Sequence, residues 1–321
     1  MTATDDEPVR AVYVILTHAG WKQVQRLAAA ILRSSPRSRV LIAHDARAEQ
    51  FPAFVDDPRI VVYTHGLPSD WGSWELVEAT LRAFSRAREL FDPALVTLIT
   101  GADYPARSLA EWEREAVSAE GWVGTASPLE YTPRWGRARG VGDDRLTRYT
   151  MRWYRPFWSG WVTSAPRWWV RLRWAAALRL EPAFGVRDVT RGRGIHYGIA
   201  RAPACFSPER PCYFGGQTLA VRRVELDRLL DEDFAPGSPL RRVYRRTMIP
   251  DESALQTALA WRSAPAQLPP VSYMRWDETV DQCVVWTATD FDEIRASRSP
   301  FCRKVDPERS DELLSLLDEL I

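Results

Sequence analysis

The run AVYVILTH, from Ala11 to His18, is an unbroken apolar segment of strand length, and the pattern it opens decides the fold class. AGWKQVQRLAAAILRSS places apolar residues at helical spacing, and RVLIAHD is a second apolar run, so the chain opens as strand, helix, strand. A third run, RIVVYTH, leads into DWGSWELVEATLRAFSRAREL, in which Trp74, Val77, Leu81 and Phe84 fall on one helical face. ALVTLITGADYP then reads as a buried strand that stops at Gly-Ala-Asp. Apolar strands alternating with amphipathic helices predict a mostly parallel, doubly wound α/β sheet, whose ligands sit at the carboxyl ends of the strands. His18, Asp45 and Asp103 fall at such ends, so a nucleotide-sized crevice is expected in the first third.

At 321 residues the chain has length for a sizeable core, and a net charge of +1 argues against nucleic acid or an acidic membrane as the main partner. Any bound anion must therefore be held by local charge. The start, MTATDDEPVRAVYVILTHAG, shows no basic region followed by an apolar stretch and a cleavage site, and no segment has the roughly 18 uncharged apolar residues of a membrane span. A cytoplasmic protein is expected. Cys205, Cys212, Cys283 and Cys302 form no Cys-x-x-Cys pair, and His18, His44, His65 and His196 are scattered, so neither a disulfide scaffold nor a local metal site is expected.

Between about residues 130 and 210 the character changes. RYTMRWYRPFWSGWVTSAPRWWVRLRWAAALRLEP mixes Trp and Arg densely. Such a segment suits a packed insertion with arginines snorkelling outward, a membrane-surface helix or a nucleic-acid platform; the packed insertion is preferred because apolar bodies with polar tips bury readily. Order returns with CYFGGQTLAVRRVELDRLL, read as a Gly-Gly turn, a strand and a helix, and with IPDESALQTALAW, where Pro250, Asp251 and Glu252 open a helix. Lys22 and Lys304 are the only lysines among 43 basic residues, and Lys304 stands beside Arg303 in SPFCRKVDP.

Two Asp-x-Asp triplets, Asp231–Asp233 and Asp290–Asp292, border helices, where helix-end charge accounts for them. The strand end ITGADYP has a single aspartate, so no paired-carboxylate metal site is legible there, which disfavours a nucleotidyltransferase.

VILTHAGWKQVQRL, VLIAHDARAE, DWGSWELVEATL, LITGADYPARS, YFGGQTLAVRR, IPDESALQTAL and TDFDEIRASRSPFCRKVD occur in this order from about residue 11 to 306. Together they resemble the landmarks of the core-2/I-branching β-1,6-N-acetylglucosaminyltransferase family, glycosyltransferase family 14, which includes the peptide O-xylosyltransferases. The resemblance implies a GT-A fold in one domain: a Rossmann-like nucleotide-binding half over about 11–125, the Arg/Trp-rich insertion over 130–210, an acceptor and catalytic half over 211–306, and a terminal helix over 307–321. It further implies an inverting transfer from a nucleotide sugar, of the UDP-GlcNAc or UDP-xylose type, to a hydroxyl of a small molecule or glycan. No cofactor and no metal are expected, with basic side chains taking the cation's place at the diphosphate.

Carried over residue by residue, the match makes Glu252 the catalytic base, held ionised by its helix dipole, and Arg303 with Lys304 the diphosphate-binding pair. Asp251 suits helix capping instead. Asp45 falls at the uracil-reading position, although a loop-capping aspartate explains it equally well. His18 is a candidate for base or ribose, and Asp103 organises its loop or meets the sugar. The family's Gly-Ser-Gln-Trp-Trp stretch reads Gly215-Gly216-Gln217-Thr218-Leu219 here, and Trp-Gly-x-x-Ser has become Trp71-Gly72-Ser73-Trp74-Glu75. Gly216 and Gln217 remain candidates near the transferred sugar, while the aromatic wall near the acceptor is expected from Trp153 or Trp158 of the insertion. The expected partners are a nucleotide sugar and its acceptor, with weak membrane-surface contact through the Arg/Trp segment. The rival reading is a non-catalytic module binding membrane or nucleic acid through that segment.

Overall fold

The computed structural model describes residues 10–47, 49–51, 57–136, 138–156, 167–189, 194–277, 279 and 282–321. Four parallel strands, β1 (Ala11–Thr17), β2 (Arg39–His44), β3 (Ile60–Thr64) and β4 (Leu95–Thr100), form one sheet. Its order is β4, β1, β2, β3, and the strand Leu219–Arg222 adds antiparallel to the outer edge of β4. The protein is thus α/β with a mixed, mainly parallel sheet.

Successive side chains of a strand point to opposite faces, and the core follows that rule. Ala11, Tyr13 and Ile15 of β1 pack with helices α1 (Trp21–Ser34) and α3 (Leu109–Ser118), together with the terminal helix Asp311–Asp318. Val12, Val14 and Leu16 pack with α2 (Trp74–Phe91) and with the helix Ala254–Ala260. The helical face formed by Trp74, Val77, Leu81 and Phe84 is buried, as its spacing predicts. Burying both sheet faces explains why the central strands read as unbroken apolar runs.

Beyond β4 the chain makes β5 (Asp103–Pro105), which pairs antiparallel with Phe301–Arg303; that strand in turn runs parallel to Ser272–Met274. The C-terminal basic pair is thereby carried back to the Gly-Ala-Asp loop. The terminal helix holds this arrangement down: Arg26 pairs with Asp311 and Asp318, and the Tyr104 hydroxyl donates to Asp318 at 2.6 Å.

The Arg/Trp-rich insertion contains a three-stranded antiparallel sheet of Met151–Tyr154, Gly194–Ala200 and Phe184–Val189, with Gly194–Ala200 in the middle, and a helix, Arg167–Arg179. Trp158 lies outside the described residues. No helix among them is long and apolar enough to cross a membrane.

Candidate active site

Two clusters stand at the carboxyl ends of the sheet. The first is built on the loop after β4. Asp103 is fully buried and accepts from the Thr100 amide at 2.8 Å, the Thr100 hydroxyl at 2.7 Å and Ser272 Oγ at 2.6 Å. Arg303 donates to Thr100 Oγ1 at 2.7 Å and lies 3.6 Å from Asp103. Asp103 therefore organises the loop, the first of its two expected roles. Lys304 extends from Arg303 into solvent. It is exposed, its ammonium makes no hydrogen bond or ion pair with a described residue, and the next amide, Val305 N–H, donates to Ala102 O at 2.9 Å. His18, at the end of β1, is also exposed. The two lie on neighbouring loops, because Gly101 sits so close to β1 that a Cβ there would meet Thr17 Oγ1 at 2.9 Å.

Asp45 has the geometry of a loop cap, one of its two expected roles. Both of its carboxylate oxygens are engaged: Arg47 donates through its amide, Nε and Nη2, and Ser69 through its amide and hydroxyl. The Arg47 guanidinium holds the carboxyl well below the usual carboxylate range. The same Asp-x-Arg device recurs at Asp57–Arg59 and Asp143–Arg145, each with the arginine's own amide and guanidinium on the preceding aspartate. Asp45 thus caps a loop, with both carboxylate oxygens bonded within it.

The second cluster surrounds Glu252. Pro250–Glu252 form a separate 3₁₀ turn, and the next helix begins at Ala254 with Ser253 at its N-cap and no side-chain cap. The expectation that the helix dipole keeps Glu252 ionised, and that Asp251 caps, is corrected by this break. Instead, burial pushes the Glu252 carboxyl up from its ordinary value, while the charges of Arg148 and Arg145 pull it down. Arg148 Nη1 donates to Glu252 Oε2 at 3.2 Å. Arg145 lies 4.1 Å over the ring of Phe214, directly before the Gly-Gly turn.

The backbone around Glu252 is tightly determined. Gly215 N–H donates to Glu252 O at 2.9 Å, and a Cβ at Gly215 would stand 1.8 Å from Thr125 O, so only glycine fits there. Gly216 donates to Thr125 Oγ1 at 2.9 Å, while Gln256 Nε2 donates to Gly216 O at 2.7 Å and to Asp251 O at 3.1 Å. Gly216 thus joins the Glu252 turn. Gln217 is half-buried beside it, and its amide bonds to no described residue. On the other side, Ile249 takes φ 49°, a left-handed conformation costing a β-branched residue on the order of 1–3 kcal/mol. Its amide donates to Gly72 O at 3.1 Å, and its side chain packs with Met151, Trp153, Met248 and Trp71.

Trp153 does not form an open aromatic wall. It is 6% exposed, its ring lies across Gly185 and Gly198, and its indole N–H donates to Thr147 O at 3.2 Å and Arg148 O at 3.0 Å. Its place is at the helix end from which Arg148 reaches Glu252, so the insertion supports the turn that carries Arg148. Arg187 adds to that support by donating to Thr147 Oγ1 and Asp144 O, both at 2.7 Å. Arg145 and Arg148 were absent from the residues expected from sequence. Nothing marks them there, since Arg148 lies 104 positions from Glu252 in a chain crowded with arginine.

A chain of contacts links the two clusters along the strand ends. Asp45 N–H donates to Thr17 O at 2.9 Å, Arg47 reaches Asp70 at 3.1 Å, and Gly72 contacts Ile249. Two concavities of about 320 and 330 Å³ lie elsewhere, the first bounded by Arg222, Glu225, Arg228 and Arg262. Arg222 pairs with Leu95 at the amino end of β4, so that hollow is remote from the strand ends. Two of the three arginines that bound it are ion-paired, Arg222 to Glu225 and Arg262 to Glu232 and Asp233. Among the described residues no group of three His, Cys, Asp or Glu side chains converges as metal ligands would. No family model matches this chain, and no curated protein matches it.

Proposed function

We propose that the chain is an inverting glycosyltransferase of GT-A type, akin to the core-2/I-branching family, that transfers a sugar from a UDP-linked donor to a hydroxyl acceptor without a divalent metal. The observation that carries this reading is the pairing of two unlike groups at the carboxyl ends of one parallel sheet: a partly buried carboxylate, Glu252, and beside Arg303 an exposed ammonium, Lys304, that pairs with no described residue. Ligands of open α/β sheets bind at that edge. In the proposed reaction Glu252 accepts the proton of the acceptor hydroxyl as its oxygen attacks the anomeric carbon, and the bond from that carbon to the diphosphate breaks on the opposite face. The departing diphosphate gains charge, which Lys304 compensates. Arg303, already donating to Thr100, fixes the strand that presents Lys304. Gln217 and Gly216 border the space beside Glu252, where the sugar and acceptor would meet.

Asp103 bears on the metal question through its bonding, since the strand-end carboxylate that a cation would need is held by Thr100, Ser272 and Arg303. A thermal-shift comparison tests the reading, because a ligand that binds only the folded state raises apparent stability by mass action. UDP and UDP-sugars should raise Tm equally in EDTA and in magnesium. A shift that vanishes in EDTA and returns with magnesium or manganese would overturn the metal-free assignment, and no shift with any nucleotide would overturn the donor.

A further inference from the structure

From Arg145 to Leu180 the sequence contains eight arginines, six tryptophans and no aspartate or glutamate. A stretch of that composition in a chain of net charge +1 concentrates positive charge in one place. The inner part of the insertion is accounted for by Trp153, which packs at the Arg148 helix end. The outer part is not. On the helix Arg167–Arg179, Trp168, Leu172, Ala175 and Arg179 succeed one another at spacings of four, three and four, and all four are exposed. Trp168 is 65% and Leu172 53% exposed, and Trp174 and Leu180 are open as well. Ala177, on the opposite side of the helix, is buried. Among the described side chains of the helix, Ala177 is thus turned inward, while Trp168, Leu172 and Trp174 are open to solvent.

The charges on the helix itself have one sign. Arg171 lies beside the stripe and Arg179 ends it, and neither forms an ion pair with a described residue. Glu181, the first acidic residue after the helix, is engaged by the Tyr131 hydroxyl and by the amides of Gly140 and Arg134. The stripe continues beyond the helix, because Gly136 N–H donates to Arg179 O at 3.2 Å and the adjoining Trp135 is 66% exposed.

We propose that this face docks the protein onto an anionic lipid surface, with Trp135, Trp168, Leu172 and Trp174 entering the headgroup region while Arg171 and Arg179 meet the lipid phosphates. A helix lying in the interface needs an apolar stripe flanked by basic residues, and tryptophan is favoured at that depth because one end of its ring system is apolar and the other polar. A nucleic-acid platform would use spaced aromatic rings along a basic groove. A continuous stripe that includes leucine and alanine on a convex helix is better matched to the acyl boundary. No step of the proposed glycosyl transfer is needed for this inference.

The test is co-sedimentation of the full chain with vesicles of phosphatidylglycerol and phosphatidylcholine, against vesicles of phosphatidylcholine alone. Binding is expected only to the anionic vesicles and should weaken as salt is raised. The surface pair Arg171→Gln/Arg179→Gln should reduce partitioning on the order of 10- to 30-fold, and the triple change Trp168→Ser/Leu172→Ser/Trp174→Ser should abolish it while Tm stays near that of the parent. If the triple variant fails to fold, the arginine pair still decides. Absence of the parent from the vesicle pellet overturns the proposal, and so does equal partitioning of parent and arginine variant. Two other outcomes replace the lipid with a different occupant: tighter binding to a single-stranded oligonucleotide than to the vesicles, or a parent that elutes as a dimer which the tryptophan changes dissociate.

Discussion

The two clusters at the strand ends treat charge in opposite ways. Around Glu252 the carboxylate has a partner supplied by the fold: Arg148 bonds it, Arg145 stands near, and Trp153, Arg187 and the strained Ile249 fix the elements that carry them. Around β5 the fold uses up Asp103 and most of Arg303 on each other's surroundings and gives Lys304 no partner among the described residues. A group that must change protonation during a reaction needs a tuned environment, whereas a group that must neutralise a leaving charge is most effective when no protein anion competes for it. The proposed base and the proposed diphosphate clamp would require such a difference.

Breaking the first half of that comparison should produce the largest effect. Glu252→Gln keeps the shape and can still accept from Arg148, but it cannot take a proton. Turnover should fall on the order of 10²–10⁴, the usual contribution of a positioned base, while UDP affinity and Tm stay near those of the parent. Parent-like turnover would place the base elsewhere.

Breaking the second half should cost affinity instead. Lys304→Ala should weaken UDP by roughly 1.5–3 kcal/mol, the worth of one charged hydrogen-bonding contact, and leave uridine binding unchanged. Equal losses for the two ligands in calorimetric titrations would mean that Lys304 supports the fold and does not meet phosphate.

A finer test separates the base from its partner. Burial raises the Glu252 carboxyl and Arg148 opposes that, so turnover should fall on the acid side as Glu252 takes up a proton. Arg148→Gln removes the opposing charge, and the acid limb of the pH profile of kcat should move to higher pH. A merely structural arginine would lower kcat at every pH without moving the limb.

The sheet is legible in the sequence because its central strands are buried on both faces, which leaves unbroken apolar runs with helices of strong periodicity between. Glu252, in Pro-Asp-Glu, and Lys304, beside Arg303, are named as site candidates by the family resemblance. Three features are hidden for physical reasons. Arg148 and Arg145 meet Glu252 only through tertiary packing, and one arginine cannot be told from its neighbours by type. The break between the Pro250–Glu252 turn and the helix Ala254–Ala260 arises from Ser253, at φ −147° and ψ −33°, a local conformation that composition does not signal. Trp153 reads as a surface aromatic until strand pairing between segments distant in sequence brings Gly185 and Gly198 beneath it. Asp45 is the opposite case, since its Asp-x-Arg spacing is a local signal, repeated at Asp57 and Asp143, that identifies a self-contained loop cap.

The Asp45 loop cap carries the smallest expected effect on chemistry, and it sharpens the contrast between carboxylates used by the fold and those left for substrate. Asp45 is ionised and bonded in the folded protein, with its carboxyl held below the range it has in an unfolded chain. A carboxyl lowered by folding adds stability that is present above its unfolded value, about pH 3.9, and that is lost as pH falls toward the folded value. Asp45→Asn keeps the size but gives up the ionic contact with Arg47 and some of the bonds to Ser69. Tm should drop at neutral pH, and the drop should shrink as pH is lowered below about 4, because the parent then loses the same contribution by protonation. Turnover at saturating donor should change little, since both oxygens are committed to the loop. Thermal melts of parent and variant from pH 7 down to pH 3 give the comparison directly. A variant with unchanged Tm and a selective loss of uridine affinity would return Asp45 to the nucleotide, and the crevice would then have to extend one strand further, past β1 to the end of β2.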